Sequence, residues 1–254
     1  MLLCWPQLSS CLVLLWLCSP SNALCPSICT CKVTEKGRRK VVCIEGGMVD
    51  PIPTTEMDAG MEILEISAPE TNWNSLTITP IFQHFKKLEE LHIKKSNIHQ
   101  IGMHVFWGVP SLRLLDLTLN NISGVFDHNF RGLVNLVELN LDDNRIRSLQ
   151  TGVFKHLTEL RILTLQRNLL EELVPRLFLK LGKLHVLKLS GNKFEELNPE
   201  VFKDIPVSLT ICIRPNPHAS STAPPPIQTQ FIANLTFSKS IHILKQIGTC
   251  QEAT

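Results

Sequence analysis

The chain has 254 residues, a formal net charge of +2 and 19% charged side chains. That length suits one or two domains, and a near-neutral balance without a long basic run argues against a nucleic-acid binder, whose footprint is a strongly basic face. Tyrosine is absent, and we have no physical account of that.

Residues 1–23 read as a secretory signal peptide. The apolar run from Cys11 to Cys18 is too short to span a bilayer, and Ser21, Asn22 and Ala23 offer the small residues a signal peptidase needs. No Lys or Arg precedes Lys32, so the terminal amine alone supplies positive charge. A signal anchor is the competing reading, and it needs a longer apolar run. The mature chain is expected to begin near Leu24, with Cys4, Cys11 and Cys18 removed. Six cysteines then remain for an oxidising compartment.

Four of them, Cys25, Cys29, Cys31 and Cys43, form C-x3-C-x-C-x11-C in a segment, 24–60, that precedes a repeat array. An array's first coil exposes an apolar end and needs a cap, and a short cap with little core is stapled by disulfides. Zinc is the alternative for four such cysteines. The Cys29-x-Cys31 pair is closer than structural zinc motifs usually allow, so no metal and no cofactor is expected.

From Leu88 to Val207 one pattern recurs every 24 residues. Leu88, Leu112, Leu136, Leu160 and Leu184 open the copies. Apolar residues follow three and five positions on, from Leu91 and Ile93 to Leu187 and Leu189. Then come Asn120, Asn144, Asn168 and Asn192, with Ser96 in that place in the first copy, and a Phe column at Phe106, Phe130, Phe154, Phe178 and Phe202. This is LxxLxLxxNxL at a leucine-rich-repeat period. The LxL alternation predicts a short strand with its leucines inward, and such strands must stack into a parallel sheet to bury that side. An asparagine amide, both donor and acceptor, can satisfy the backbone groups left where the coil turns. The phenylalanines should fill the wider convex side. A leucine-rich helical protein would not keep asparagine at this interval. The predicted fold is therefore a curved leucine-rich-repeat solenoid over 61–217, six copies plus a partial seventh, with a parallel sheet on the concave face, irregular convex coils and a disulfide-bonded cap. The first copy, at Met61, Leu64 and Ile66, runs 27 residues to Leu88. Its surplus should form a looped insertion among residues 68–79, either a binding bulge or an accommodation at the capping coil.

The motif Cys25-Pro26-Ser27-Ile28-Cys29-Thr30-Cys31, a later Cys43 and phased repeats resemble the extracellular leucine-rich-repeat superfamily. The chain is similar to the cysteine-capped ectodomains of Slit-type guidance proteins and leucine-rich-repeat/immunoglobulin receptors, over roughly residues 24–217. The resemblance implies disulfides Cys25–Cys31 and Cys29–Cys43, protein ligands bound mostly by the concave face, and no catalysis.

Strand register predicts the outward residues of that face. The central column is Glu65, His92, Asp116, Asn140, Thr164 and Lys188, between Ile63, Glu90, Leu114, Glu138, Ile162 and Val186 on one side and Ser67, Lys94, Thr118, Asp142, Gln166 and Ser190 on the other. His92, Lys94 and Lys95 suggest an early basic patch, and Asp116, Glu138, Asp142 and Asp143 an acidic one at mid-face. An apolar column rimmed by charge suits a protein partner. The candidate ligand-binding residues are therefore His92, Lys94, Leu114, Asp116, Glu138, Asn140, Asp142 and Ile162. An enzyme is the competing class. The histidines fall at unmatched phases, expected as exposed coil residues, and no H-E-x-x-H, G-x-S-x-G or phosphate-loop motif occurs.

Past the regular array, Ser208, Ile211, Ile213 and Asn216 keep the phase of another copy. Residues 218–254 then begin with a Ser/Thr/Pro-rich linker and end as an atypical tail. Cys212 and Cys250 are open between a mutual disulfide, free thiols and intermolecular bridges. The alternation of Phe231, Ala233, Leu235 and Phe237 suits an edge-covering strand. Asn121 and Asn234 begin glycosylation sequons. No later segment reads as a membrane span or lipid anchor. The chain is expected to be a secreted or cell-surface module binding an extracellular protein, with oligomeric state open. The alternative is a truncated or alternatively ended receptor ectodomain acting as a soluble decoy.

Overall fold

The computed structural model describes residues 24–194, 198–205 and 210–212. The signal-peptide segment, the tail with Asn234 and Cys250, and the expected strand at 231–237 lie outside the described residues. Among the described residues nine strands form one sheet in chain order: β1 (Thr30–Val33), β2 (Arg39–Cys43), β3 (Ile63–Ile66), β4 (Glu90–Ile93), β5 (Leu114–Asp116), β6 (Glu138–Asn140), β7 (Ile162–Thr164), β8 (Val186–Lys188) and β9 (Thr210–Cys212). β1 and β2 are an antiparallel hairpin, and every later neighbour pairs in parallel. This is the solenoid that the 24-residue period predicts.

Alternation within each strand sets its two faces. Leu64, Leu91, Leu115, Leu139, Leu163 and Leu187 stand in one register and are wholly buried. Behind them the phenylalanines stack through the convex side. Phe82 and Phe106 lie 6.5 Å apart, Phe130 and Phe154 5.9 Å, Phe178 and Phe202 6.1 Å. Burying a Phe contributes about 1.5–3 kcal/mol, so this column is a main part of the core that links one coil to the next.

The asparagines act as the sequence suggests, and each ties two coils together. The Asn144 amide donates to Leu117 O on the previous coil at 2.9 Å and to Leu141 O on its own at 3.1 Å, while its carbonyl accepts from Ile122 N at 3.0 Å. Asn120, Asn168 and Asn192 repeat the arrangement. The residue before each turns the chain in the left-handed region: Lys95, Leu119, Asp143 and Arg167 have φ between 48° and 55°, and Gly191 takes the place in the last copy.

The irregular first copy resolves into two compensating changes. Eight positions separate Ile66 from Asn74 where the next copy has three between Ile93 and Ser96. Only eight separate Asn74 from Phe82 where Ser96 to Phe106 takes ten. Asn74, which the sequence suggested as a loop residue, is a buried member of the asparagine column. It accepts from Met48 N at 2.9 Å and donates to Ser67 O at 3.2 Å and Ser96 Oγ at 3.1 Å. The insertion thus lies between Ser67 and Asn74. It closes against the cap, where Gly47 N donates to Asn72 O at 3.0 Å and a Cβ on Gly46 would stand 2.1 Å from that oxygen.

The cap carries the two disulfides, Cys25–Cys31 and Cys29–Cys43. Its strand β2 extends the array's sheet, so the first coil's apolar end is covered by hydrogen-bonded backbone rather than by a loose loop. At the other end β9 places Ile211 opposite Leu187, the expected phase.

Candidate functional site

On the concave face the predicted columns stand side by side. Glu65, His92, Asp116, Asn140, Thr164 and Lys188 are paired across successive strands, as are Ile63, Glu90, Leu114, Glu138, Ile162 and Val186. Most are half-buried by their neighbours. Ile63 is a correction: it is only 6% exposed, beneath a small cleft that Thr34, Glu35, Lys36 and Arg38 of the cap hairpin also line.

The expected division into a basic and an acidic patch is also corrected, because the charges are already spent on one another. Lys94 Nζ lies 2.7 Å from Asp116 Oδ2 and His92 Nδ1 lies 3.4 Å from it, while Thr118 Oγ1 donates to Asp116 Oδ1 at 2.8 Å. Burial disfavours the Asp116 charge. The bonds from His92, Lys94 and Thr118, with the Lys94 ammonium, outweigh it and hold the pKa at about 2. Asp142 is enclosed too, accepting from Gln166 N at 2.6 Å and Gln166 Nε2 at 2.9 Å. Burial nevertheless pushes its pKa up. Asn140 Oδ1 accepts from Asp142 N at 3.1 Å and Thr164 Oγ1 at 2.6 Å. Lys95 pairs with Glu70 of the insertion, and Arg167 grips Asp143 through Nε at 2.6 Å and Nη2 at 2.7 Å. Nearer the cap, Arg38 pairs with Glu89 and Glu90, and Lys40 with Glu65. The mid-face is a cross-linked network rather than an open acidic surface.

Glu138 stands apart from that network. It is half-buried, sits in register between Leu114 and Ile162, and its carboxylate has no hydrogen-bond or ion-pair partner among the described residues. Burial first, and the Asp116 charge second, push its pKa above the usual carboxylate value.

Elsewhere the structure adds detail that the pattern did not carry. The convex histidines are not uniformly exposed: His104, His128 and His156 are half-buried, and His128 stacks on Phe126 at 5.5 Å. Asn129 is wholly buried and sews one coil to the previous one, donating to Ile101 O at 2.7 Å. It occurs in a single copy, so no periodicity could flag it. The sequon residue Asn121 is half-buried and donates to Asn97 Oδ1 at 3.1 Å, a bond that the one N–H left on a glycosylated amide could still make. The side chain of Cys212 lies outside the described residues. Among those residues no group of three His, Cys, Asp or Glu side chains is placed to hold a metal, and no helix is long and apolar enough to cross a membrane.

A family profile described as leucine rich repeat matches residues 80–122, 111–170, 135–194 and 158–210, together just over half of the chain. The chain belongs to the leucine-rich-repeat family. Leucine-rich-repeat proteins in general mediate protein binding, and the family and its solenoid fold are typically non-enzymatic. Among solved structures, this leucine-rich-repeat chain is similar to the crystal structure of the TLR13–ssRNA13 complex, with a TM-score of 0.52 and 24% identity over 60% of its length. It spans 22% of that chain, and at such identity the likeness shows the solenoid fold alone. No curated protein matches it.

Proposed function

We propose that the chain is a secreted or cell-surface binding module that recognises an extracellular protein through its concave sheet. One observation carries the reading. Leu114, Ile162 and Val186 stand in a single register, half-buried, on a face whose neighbouring charges are largely satisfied internally. Such a surface offers apolar area with few charges left to desolvate, the composition of an interface core with a polar rim. Of the residues named from the sequence, Leu114, Glu138 and Ile162 form the contact surface, while His92, Lys94, Asp116, Asn140 and Asp142 hold the sheet in shape.

The two disulfides support an oxidising compartment, and with it the division into a signal peptide at 1–23, cap at 24–60, repeats at 61–217 and tail at 218–254. The cysteine-capped form also supports kinship with Slit-like and leucine-rich-repeat/immunoglobulin ectodomains. Among the described residues the concave face has no strongly basic stripe of the kind an RNA-binding surface carries, because Lys40 and Lys94 are paired with Glu65 and Asp116.

The test is capture of cell-surface proteins by the tagged, secreted chain, compared with Leu114→Gln/Ile162→Gln. A partner retained by the parent and lost by the double variant, with melting unchanged, supports the reading. Equal retention by both moves the site off the concave face.

A further inference from the structure

We infer that the partner presents a lysine or arginine side chain to Glu138, its aliphatic stem laid over Leu114 and Ile162 and its charged head on the carboxylate. This rests on the concave-face reading above and names the chemistry of what binds there.

The acids that share the sheet face with Glu138 already have partners: Glu65 has Lys40, Glu90 has Arg38, Asp116 has Lys94 and Asp142 has Gln166. Glu138 has none, although its neighbours cover it by half and its flanking residues in the register are both aliphatic. Water still reaches the Glu138 carboxylate, which is not among the buried polar atoms left unpartnered, but a half-buried carboxylate is less well hydrated than a free one, and a ligand donor compensates for that loss. Long cationic side chains fit the place, because their methylene stems cover apolar surface while the head remains polar. Arginine adds a planar fork that can engage both carboxylate oxygens.

A second feature sets the position of the ligand's cation. Lys188 stands two strands on from Glu138, in the central column beyond Thr164, and has no ion-pair partner among the described residues. Strands are spaced about 4.7–4.9 Å, so the backbones of the two strands that carry these opposite charges lie roughly 10 Å apart across the sheet. A ligand cation is attracted at Glu138 and repelled at Lys188, which gives the docked partner a direction along the sheet. His92 and Lys188 bear on Glu138 only through space, and neither bonds to it.

The probe is a phage-displayed library of random dodecapeptides selected on the secreted full chain. Enriched peptides are expected to carry a lysine or arginine beside an apolar residue. Their affinity should fall roughly ten- to hundredfold in Glu138→Gln, the loss of one charge-assisted bond. It should stay within about twofold in Glu70→Gln, which removes an exposed acid of the insertion far from the patch. Glu138→Gln should melt no lower than the parent, which separates lost recognition from lost folding. Enriched peptides without a basic residue, no enrichment of basic peptides, or equal binding to Glu138→Gln overturns the inference. If those peptides still lose affinity for Leu114→Gln/Ile162→Gln, the concave-face reading survives and the cation alone is wrong. If neither variant affects them, both readings fall.

Discussion

Asn144 shows how much one polar side chain holds in a repeat array. Its amide serves a carbonyl on each of two coils and its oxygen serves Ile122 N, all buried. Asn144→Ala strands these groups at about 1–3 kcal/mol for an unsatisfied buried partner, so thermal melting should fall by several degrees with concave-face binding unchanged per folded molecule. The neighbouring carboxylates carry opposite signs of pH dependence. The pKa of Asp116 is depressed from 3.8 to about 2 on folding, so its stabilisation is complete above about pH 4 and is lost as pH falls from there towards 2. The linkage amounts to about 2 kcal/mol, and Asp116→Asn should flatten that limb of an acid-unfolding curve. The pKa of Glu138 is raised, so its ionisation on going from acid to neutral pH works against the fold. Glu138→Gln should therefore be neutral or stabilising at pH 7, and a clear drop in its melting temperature would falsify the view that this carboxylate is unpartnered. Reversal at Asp142 is a different case, because its oxygens hold Gln166 N and Nε2. Asp142→Lys should destabilise, where sequence register alone treated it as a free surface charge.

At the scale of elements, legibility followed periodicity. The columns of strand residues, the asparagines and the phenylalanines all recur at 24 residues, and each recurrence had a reason in burial or hydrogen bonding that a single sequence exposes. Pairing among charges could not be read in the same way. Lys94 with Asp116 and Asp142 with Gln166 are neighbours on adjacent coils, and whether they face or avoid each other depends on rotamers that no period specifies. The candidate face was therefore legible as a face but not as a site. Asn74 was obscured for a related reason: the insertion shifted it out of phase while its role in the turn stayed the same. The junction of that insertion with the cap makes its own prediction. Gly46 has φ +75° and no room for a side chain beside Asn72 O. Gly46→Ala adds a left-handed strain of about 1–2 kcal/mol to a backbone clash, and limited proteolysis should then cut around residues 67–74 while β5 to β8 remain protected.

For the whole molecule the governing fact is that each coil touches mainly its neighbours, so stability is close to a sum of coil terms and nearest-neighbour interfaces. In such a system the ends decide how the array opens. The cap meets the array through β2, paired with β3, and through Arg38 and Lys40 reaching Glu89, Glu90 and Glu65. Cys43 ends β2 and is bonded to Cys29, so this disulfide anchors the strand that covers the first coil, whereas Cys25–Cys31 closes a loop farther out. Losing a native disulfide in a small secreted unit costs about 2–5 kcal/mol, enough to release a cap with little core of its own. Cys29→Ser or Cys43→Ser should abolish or sharply reduce secretion. In the fraction recovered, hydrogen exchange should accelerate first in β2 and β3 and least in β6 and β7, a gradient that sets end-on opening apart from uniform destabilisation. Cys25→Ser should have a smaller effect of the same direction. Uniform acceleration along the sheet, or normal secretion of both Cys29→Ser and Cys43→Ser, would mean that the coils hold together without the cap.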